Sequence, residues 1–166
     1  MNDALVAGAG EMVEAGIRET GIPLTVELKH YLAITVARYM REEIEVDRLT
    51  IRVARAMDER ASRDVLRSLA DQCLVACSVF ERRLRRGGGS LHHYVGLGQV
   101  AYDAASMTPQ AWGFSGMRDV LATASGMRAS NRMQDLIDAA RSGSEIARDT
   151  LAQANVVVFK GGSLLR

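Results

Sequence analysis

The 166-residue sequence is poor in proline, cysteine and aromatic side chains. Its two prolines leave most of the chain free to form uninterrupted helices. Its two cysteines are too few for the disulfide framework of a small secreted domain, which favours a reducing compartment. No apolar run reaches about 18 residues, and this excludes a membrane-spanning helix. Since the first residues include an acid and no basic cluster, we find no signal peptide and expect a cytoplasmic protein that does not bind membranes.

The chain also lacks an excess of either charge. Its net charge is +1, so the molecule as a whole does not attract nucleic acid or an anionic membrane. The distribution is uneven, however, because residues 1–47 carry a net charge of −5 and residues 48–86 a net charge of +5. Two interpretations stay open. The acidic segment packs against the basic one within a chain, or two copies of the chain pair head to tail.

Hydrophobic residues make up 48% of the chain and recur at every third or fourth position, the spacing of amphipathic helices. This pattern predicts one all-α domain, a bundle of about six to seven helices over residues 1–155, followed by a short C-terminal tail, 156–166. Helices with clear boundaries are predicted at 26–43, 63–86 and 110–125, from Ser130 onward, and at 144–153. Ser142 and Glu145 have the spacing of a capping box for the last of these.

The strongest helical pattern lies in residues 63–86. Six apolar residues on one face predict a single unbroken helix of about six turns. They are Leu66, Leu69, Cys73, Cys77, Phe80 and Leu84. Thr25, Ser62 and Ser90 are also suited to cap helix N-termini.

Three segments of the chain resemble other proteins. They are HYLAITVARYM at 30–40, LRSLADQCLVACSVFERRLRRGGGSLHHYVGLGQVAYDAAS at 66–106 and LIDAARSGSEIARDTLA at 136–152. In this order they resemble a family of uncharacterised bacterial all-helical proteins, in which a long helix with a basic end precedes a helix of the type YxxxGxxAY. Tyr94, Gly98, Ala101 and Tyr102 match that helix. The resemblance implies a helical fold and a bacterial source, and it implies no activity.

Cys73 and Cys77 lie one helical turn apart, so both thiols point the same way. Together with His93 they are the weak candidates for a metal or small-molecule site in the bundle, because thiolates and imidazoles bind zinc. The spacing of known zinc motifs is absent, however, and both cysteines lie on the most apolar stripe of the chain. We therefore expect them to pack in the core, and we predict no cofactor.

An arginine cluster, Arg82, Arg83, Arg85 and Arg86, precedes three consecutive glycines. With the arginines upstream it would form a basic strip along residues 48–86, which is the alternative prediction of an anion or nucleic-acid contact. The glycines are not a P-loop, because no Gly-Lys-Ser/Thr follows. The strip also lacks aromatic residues for base stacking.

No combination of residues typical of catalysis stands out in the sequence. Asp71 and Asp103 are the acids expected to be half-buried, and such acids pair with arginine more often than they take part in a reaction. Four amphipathic or flexible side chains predict a contact face instead: Tyr94, Tyr102, Trp112 and Met117. We therefore expect a non-enzymatic interaction protein that binds a protein partner or a second copy of itself through this face.

Overall fold

The computed structural model describes residues 3–141 and 143–153, with side chains from Ala4 to Gly126 and at some positions beyond it. This part of the chain contains eight α-helices, one 3-10 turn and no strand. The all-α prediction is thus confirmed, with more helices than the six to seven expected. None of these helices combines the length and the apolar character that crossing a membrane requires.

The helices follow one another through short connections. They are α1 (Asp3–Thr20), α2 (Val26–Tyr39), α3 (Leu49–Asp58), α4 (Arg63–Val79), α5 (Glu81–Arg86), α6 (Leu91–Ala104), α7 (Thr108–Arg141) and α8 (Glu145–Gln153), with the 3-10 turn at Val46–Arg48 before α3. Helix α4 packs against α2, α3 and α6, and α1 packs against α2. Helix α4 therefore lies at the centre of this group.

The chain divides into two compact units, Met1–Ser125 and Gly126–Arg166. The first has a continuous hydrophobic core to which α1, α2, α3, α4, α6 and the first half of α7 contribute. Among the residues of the second unit whose side chains are described, Ala140, Ala147 and Leu151 are buried and cluster together. The predicted tail, 156–166, lies outside the described residues.

Polar residues cap several helices as the sequence predicts. The side-chain oxygens of Thr25, Ser62 and Ser90 each accept the backbone N–H three residues later, at 3.2, 3.5 and 3.1 Å. At α8 the cap is Ser144, whose hydroxyl accepts the N–H of Ala147 at 3.2 Å. The predicted capping residue Ser142 lies outside the described residues.

Helix α2 ends at Tyr39, four residues before the predicted boundary. Two consecutive acids, Glu42 and Glu43, follow it. Carboxylates are unfavourable at the negative end of the helix dipole. Arg38, in the last turn, instead pairs with Glu42 at 3.2 Å beyond the helix end.

The prediction of one unbroken helix through the basic-ended segment is wrong. Phe80 separates α4 from α5 and is exposed, so it leaves the apolar stripe. The hydroxyl of Ser78 donates to the carbonyl one turn earlier at 2.7 Å, a bond that often bends helices.

Arg118 of α7 holds the two sides of this break. It donates to the backbone carbonyl of Cys77 at 3.4 Å. In a continuous helix, that carbonyl would accept the N–H of Glu81. The guanidinium also pairs with the Glu81 carboxylate at 2.9 Å. Bonds from Arg118, on a neighbouring helix, therefore take the place of the hydrogen bond that Cys77 and Glu81 would form within a continuous helix.

Helix α7 runs without interruption from Thr108 to Arg141, where the sequence predicts two helices. The predicted boundary between 125 and Ser130 is wrong, because glycine at 126 lowers helix propensity by about 1 kcal/mol without forbidding the helix. The predicted inward face of the first half is confirmed. Its buried residues include Phe114, Met117, Leu121 and Ala124.

Helix α6 packs closely against neighbouring side chains at Gly98. A Cβ atom there would lie 2.3 Å from the ring of Phe114 and 3.1 Å from the Cβ of Cys73. Only a residue without a side chain fits this position. The close approach places Tyr102, one turn later, in the interior.

Candidate functional site

Three polar residues from three helices meet inside the first unit, and we name them the Asp71 cluster. They are Tyr31 of α2, Asp71 of α4 and Tyr102 of α6. Asp71 is only 1% exposed. Its Oδ1 accepts a hydrogen bond from the hydroxyl of Tyr31 at 2.5 Å and another from that of Tyr102 at 2.6 Å. Distances this short are typical of hydroxyl donors to a charged carboxylate.

Arg67 lies one turn before Asp71 and covers one side of the cluster. Its Nε is 3.8 Å from Oδ2 of Asp71, an ion pair longer than a hydrogen bond. Its guanidinium also lies 5.5 Å from the ring centroid of Tyr31, within the range of a cation–π contact. The negative charge of Asp71 is therefore compensated by a neighbour on its own helix.

Burial controls how the cluster titrates. It raises the pKa of Asp71 above its ordinary value, against the opposing effects of the two tyrosine hydroxyls and of Arg67. Burial, followed by the negative charge of Asp71, also raises the pKa of Tyr31 and that of Tyr102 well above the usual range. Both tyrosines therefore stay protonated at neutral pH and remain hydrogen-bond donors.

The Asp71 cluster has residue types found in active sites, but its hydrogen bonds are directed inward. Both tyrosine protons are donated to one oxygen of Asp71. Hydrogen bonds of this kind fix how the helices pack and occupy both tyrosine donors, whereas Nε of Arg67 is buried without a hydrogen-bond partner among the described residues. The expectation that Asp71 pairs with an arginine is confirmed by Arg67. Asp103, expected to be half-buried, is exposed.

Cys73 and Cys77 are free thiols buried completely in the core, where the apolar stripe of α4 places them. Burial raises the pKa of each thiol to about 12. The thiolate is the form that attacks electrophiles and binds metals, and it is suppressed at neutral pH by this shift.

His93 lies apart from the buried thiols, on the exposed side of α6. Its Nε2 is 3.0 Å from the hydroxyl oxygen of Thr50. Among the described residues, no three His, Cys, Asp or Glu side chains are placed to hold one metal ion. The three weak metal candidates of the sequence are therefore not brought together.

The four arginines of the predicted anion site are all exposed on α5. Arg83 pairs with Asp47 at 2.7 Å, and Arg85 pairs with the glutamate one turn before it, also at 2.7 Å. Arg82 and Arg86 form no ion pair with any residue that the structure describes. About half of the positive charge is thus compensated locally, and an anion or nucleic-acid contact here stays a prediction.

The predicted contact face is not one surface. Tyr102 and Met117 are completely buried, because they lie on the inward sides of α6 and α7. These two residues are a correction to the predicted face, since they belong to the core. Tyr94 is partly buried, and Gly89 packs tightly against its ring. Trp112, in contrast, is 85% exposed on the outer side of α7.

Trp112 lies beside an open groove between α6 and α7 with a volume of about 610 Å³, which we name the Trp112 groove. Its lining residues are Gln99, Val100, Asp103, Ala111 and Trp112. Val100 is 51% exposed and forms an apolar wall. The amide nitrogen of Gln99 donates to the carbonyl of Ala111 at 3.4 Å, which leaves its side-chain oxygen as an acceptor. The exposed Asp103 carboxylate, unpaired within the described residues, is a second acceptor.

Comparison of the chain with models of protein families, with curated proteins and with solved structures found no match. The resemblance to a family of bacterial helical proteins therefore stays a prediction. The function has to be inferred from the residues of this chain alone.

Proposed function

We propose that this protein is a helical interaction module that associates with a second copy of itself through Trp112 and the Trp112 groove. The observation that carries the proposal is the indole of Trp112, which is 85% exposed beside a groove of matching chemistry. Tryptophan is the residue type most enriched at the energetic centres of protein interfaces.

The groove offers what an indole ring requires. Val100 and Ala111 supply apolar contact, and the side-chain oxygens of Gln99 and Asp103 are acceptors for an indole N–H. A buried tryptophan needs both apolar contacts and a hydrogen-bond acceptor, since it carries a large apolar surface and a single N–H donor.

The Trp112 indole and the Trp112 groove lie side by side on one surface. This arrangement favours a second copy of the chain as the partner that occupies the groove. In a two-fold dimer each Trp112 enters the groove of the other chain, so that one patch serves both subunits. A net charge of +1 gives little electrostatic repulsion between two copies. Since the patch is small, we expect a dissociation constant in the micromolar range, about 1–100 μM.

Sedimentation equilibrium tests the proposal. The wild-type chain should form dimers in the micromolar range, and Trp112→Ala should sediment as a monomer at the same concentrations. Val26→Ala is the matched control, because Val26 is 82% exposed on α2 and outside the groove. A wild-type chain that stays monomeric, or a Trp112→Ala variant that still dimerises, would contradict the proposal.

Mixing two variants tests whether the contact is reciprocal. Trp112→Ala lacks the indole but keeps the other four lining residues of the groove, whereas Val100→Glu keeps the indole and carries a charge on the groove wall. Each should be monomeric alone, and the mixture should form a heterodimer, weaker than the wild-type dimer, in which the indole of the Val100→Glu chain contacts the remaining groove residues of the Trp112→Ala chain. No heterodimer in the mixture would overturn the reciprocal arrangement.

A further inference from the structure

A second cavity lies between α3 and α4, away from the residues that line the Trp112 groove, and its volume is about 310 Å³. We name it the α3–α4 pocket. Its lining residues are Arg52, Arg55, Ala56, Glu59, Ala61, Val65, Ser68, Leu69 and Gln72. The volume is at the lower end of the range, about 300–1,000 Å³, that is typical of small-molecule sites.

Two arginines lie on the same side of this pocket. Arg52 and Arg55 are three residues apart on α3 and therefore share a helix face. Arg52 is held in place, because its Nη1 donates to the side-chain oxygen of Gln72 at 2.9 Å. Gln72 in turn donates to the hydroxyl of Ser68 at 3.4 Å.

The positive charge at the pocket is only partly compensated. Among the described residues, the acidic partner of Arg52 is the exposed Glu45, at 3.9 Å. Arg55 is exposed and forms no ion pair with any residue that the structure describes. Glu59, one turn after Arg55, also lines the pocket without pairing with Arg55 at salt-bridge distance, and it reduces the net positive charge there, which disfavours a ligand with more than one negative charge.

The rest of the lining is apolar. Ala56 and Leu69 are buried core residues, and Val65 is a partly exposed wall on α4. An apolar floor beside two guanidinium groups suits a ligand with a short hydrocarbon part and one anionic end. Guanidinium groups match a carboxylate through paired N–H donors.

We propose that the α3–α4 pocket binds a small monocarboxylate with an apolar chain. The carboxylate lies against Arg55 and the fixed Arg52, and the hydrocarbon chain lies along Leu69 and Val65. The site is independent of self-association at Trp112, since the two lining sets share no residue.

Hexanoate is the probe, and the methyl resonances of Ala56, Val65 and Leu69 in the full-length protein are the readout. Titration with hexanoate should shift these resonances, with a dissociation constant of about 1 mM or lower. Hexanamide, which has the same chain without the charge, should bind about tenfold more weakly. Inorganic phosphate should also bind more weakly than hexanoate, because it has no apolar part.

Arg55→Gln is the variant, and Arg63→Gln is the matched control, since Arg63 is exposed on α4 outside the pocket lining. Arg55→Gln should weaken hexanoate binding by about tenfold, and Arg63→Gln should leave it unchanged. The proposal is overturned if these methyl groups do not respond to hexanoate, if hexanamide or phosphate binds as well, or if both variants behave alike.

Discussion

The two sides of helix α6 differ in how their polar and apolar groups are partnered. On the inner side, the Tyr102 hydroxyl is buried and donates to Asp71 at 2.6 Å. On the outer side, Val100 and Asp103 are exposed beside Trp112 and line an open groove. The inner side of α6 therefore presents a hydroxyl that is hydrogen-bonded to a buried acid, and the outer side presents an exposed apolar residue and an exposed acid beside an exposed indole.

This difference indicates where function lies. In the Asp71 cluster both tyrosine hydroxyls donate to the same carboxylate oxygen, which stabilises one packing of the helices and leaves neither hydroxyl for a substrate. An exposed indole beside an apolar wall is unfavourable in water and is stabilised by a partner. The Asp71 cluster is accordingly interpreted as structural and the Trp112 groove as functional, and each of the following predictions tests that division.

The largest effect is expected in the interior, from Asp71→Ala. The substitution leaves the hydroxyls of Tyr31 and Tyr102 without their acceptor, and the free energy of unfolding should fall by about 3 kcal/mol. Asp58→Ala, at an exposed aspartate of α3, should change it by less than about 0.5 kcal/mol. Urea denaturation measures both, and equal losses would show that the cluster does not hold the helices together.

The close approach at Gly98 should be the next most sensitive point. Gly98→Ala places a methyl group 2.3 Å from the ring of Phe114, and we expect a loss of about 1–3 kcal/mol. Gly96→Ala, on the same helix, meets no atom within 4 Å and should be neutral or stabilising by up to about 1 kcal/mol. Thermal unfolding of the two variants should therefore shift in opposite directions, and a tolerated Gly98→Ala would contradict the packing of α6.

The buried thiols should make the interior sensitive to alkali. Because burial raises the pKa of Cys73 and of Cys77 from 9.0 to about 12, the folded state holds these protons more tightly than the unfolded state does. Their contribution to stability is complete below pH 9 and is lost as the pH rises toward 12, by roughly 1 kcal/mol for each thiol at pH 10. Denaturation midpoints between pH 8 and pH 10 should fall less steeply in the Cys73→Ala/Cys77→Ala double variant than in the wild-type chain. Equal slopes would contradict the burial of the thiols.

The smallest effect on stability is expected at the surface. Trp112→Ala removes an exposed side chain, and at concentrations where the chain is monomeric it should change the free energy of unfolding by less than about 0.5 kcal/mol. Urea denaturation of dilute protein measures this. A loss comparable to that of Asp71→Ala would assign Trp112 to the core and remove the contrast between the two sides of α6.

Much of the fold can be predicted from the spacing of apolar residues. The inward face of α7, the central stripe of α4 and the caps at Thr25 and Ser90 depend on residues close together in the sequence. The break at Phe80 cannot be predicted in this way. It involves Arg118, which is distant in the sequence and donates to a carbonyl of α4.

The candidate sites show the same limit. The pairing of Arg67 with Asp71 is visible as a spacing of four residues on a helix. The sequence does not reveal that Tyr31 and Tyr102 both contact the Asp71 carboxylate, since that depends on how α2 and α6 pack against α4. The predicted contact face failed at Tyr102 for the same reason, because the amphipathic character of a tyrosine does not reveal which side of its helix is covered.

Tryptophan fluorescence tests the central claim most directly, since Trp112 is the only tryptophan in the chain and reports on its own environment. In dilute solution its emission should resemble that of an indole in water. As the concentration rises through the micromolar range, about 1–100 μM, the emission should shift to shorter wavelength and become protected from iodide quenching as the indole enters the other chain. Emission that stays independent of concentration over this range would contradict self-association through Trp112.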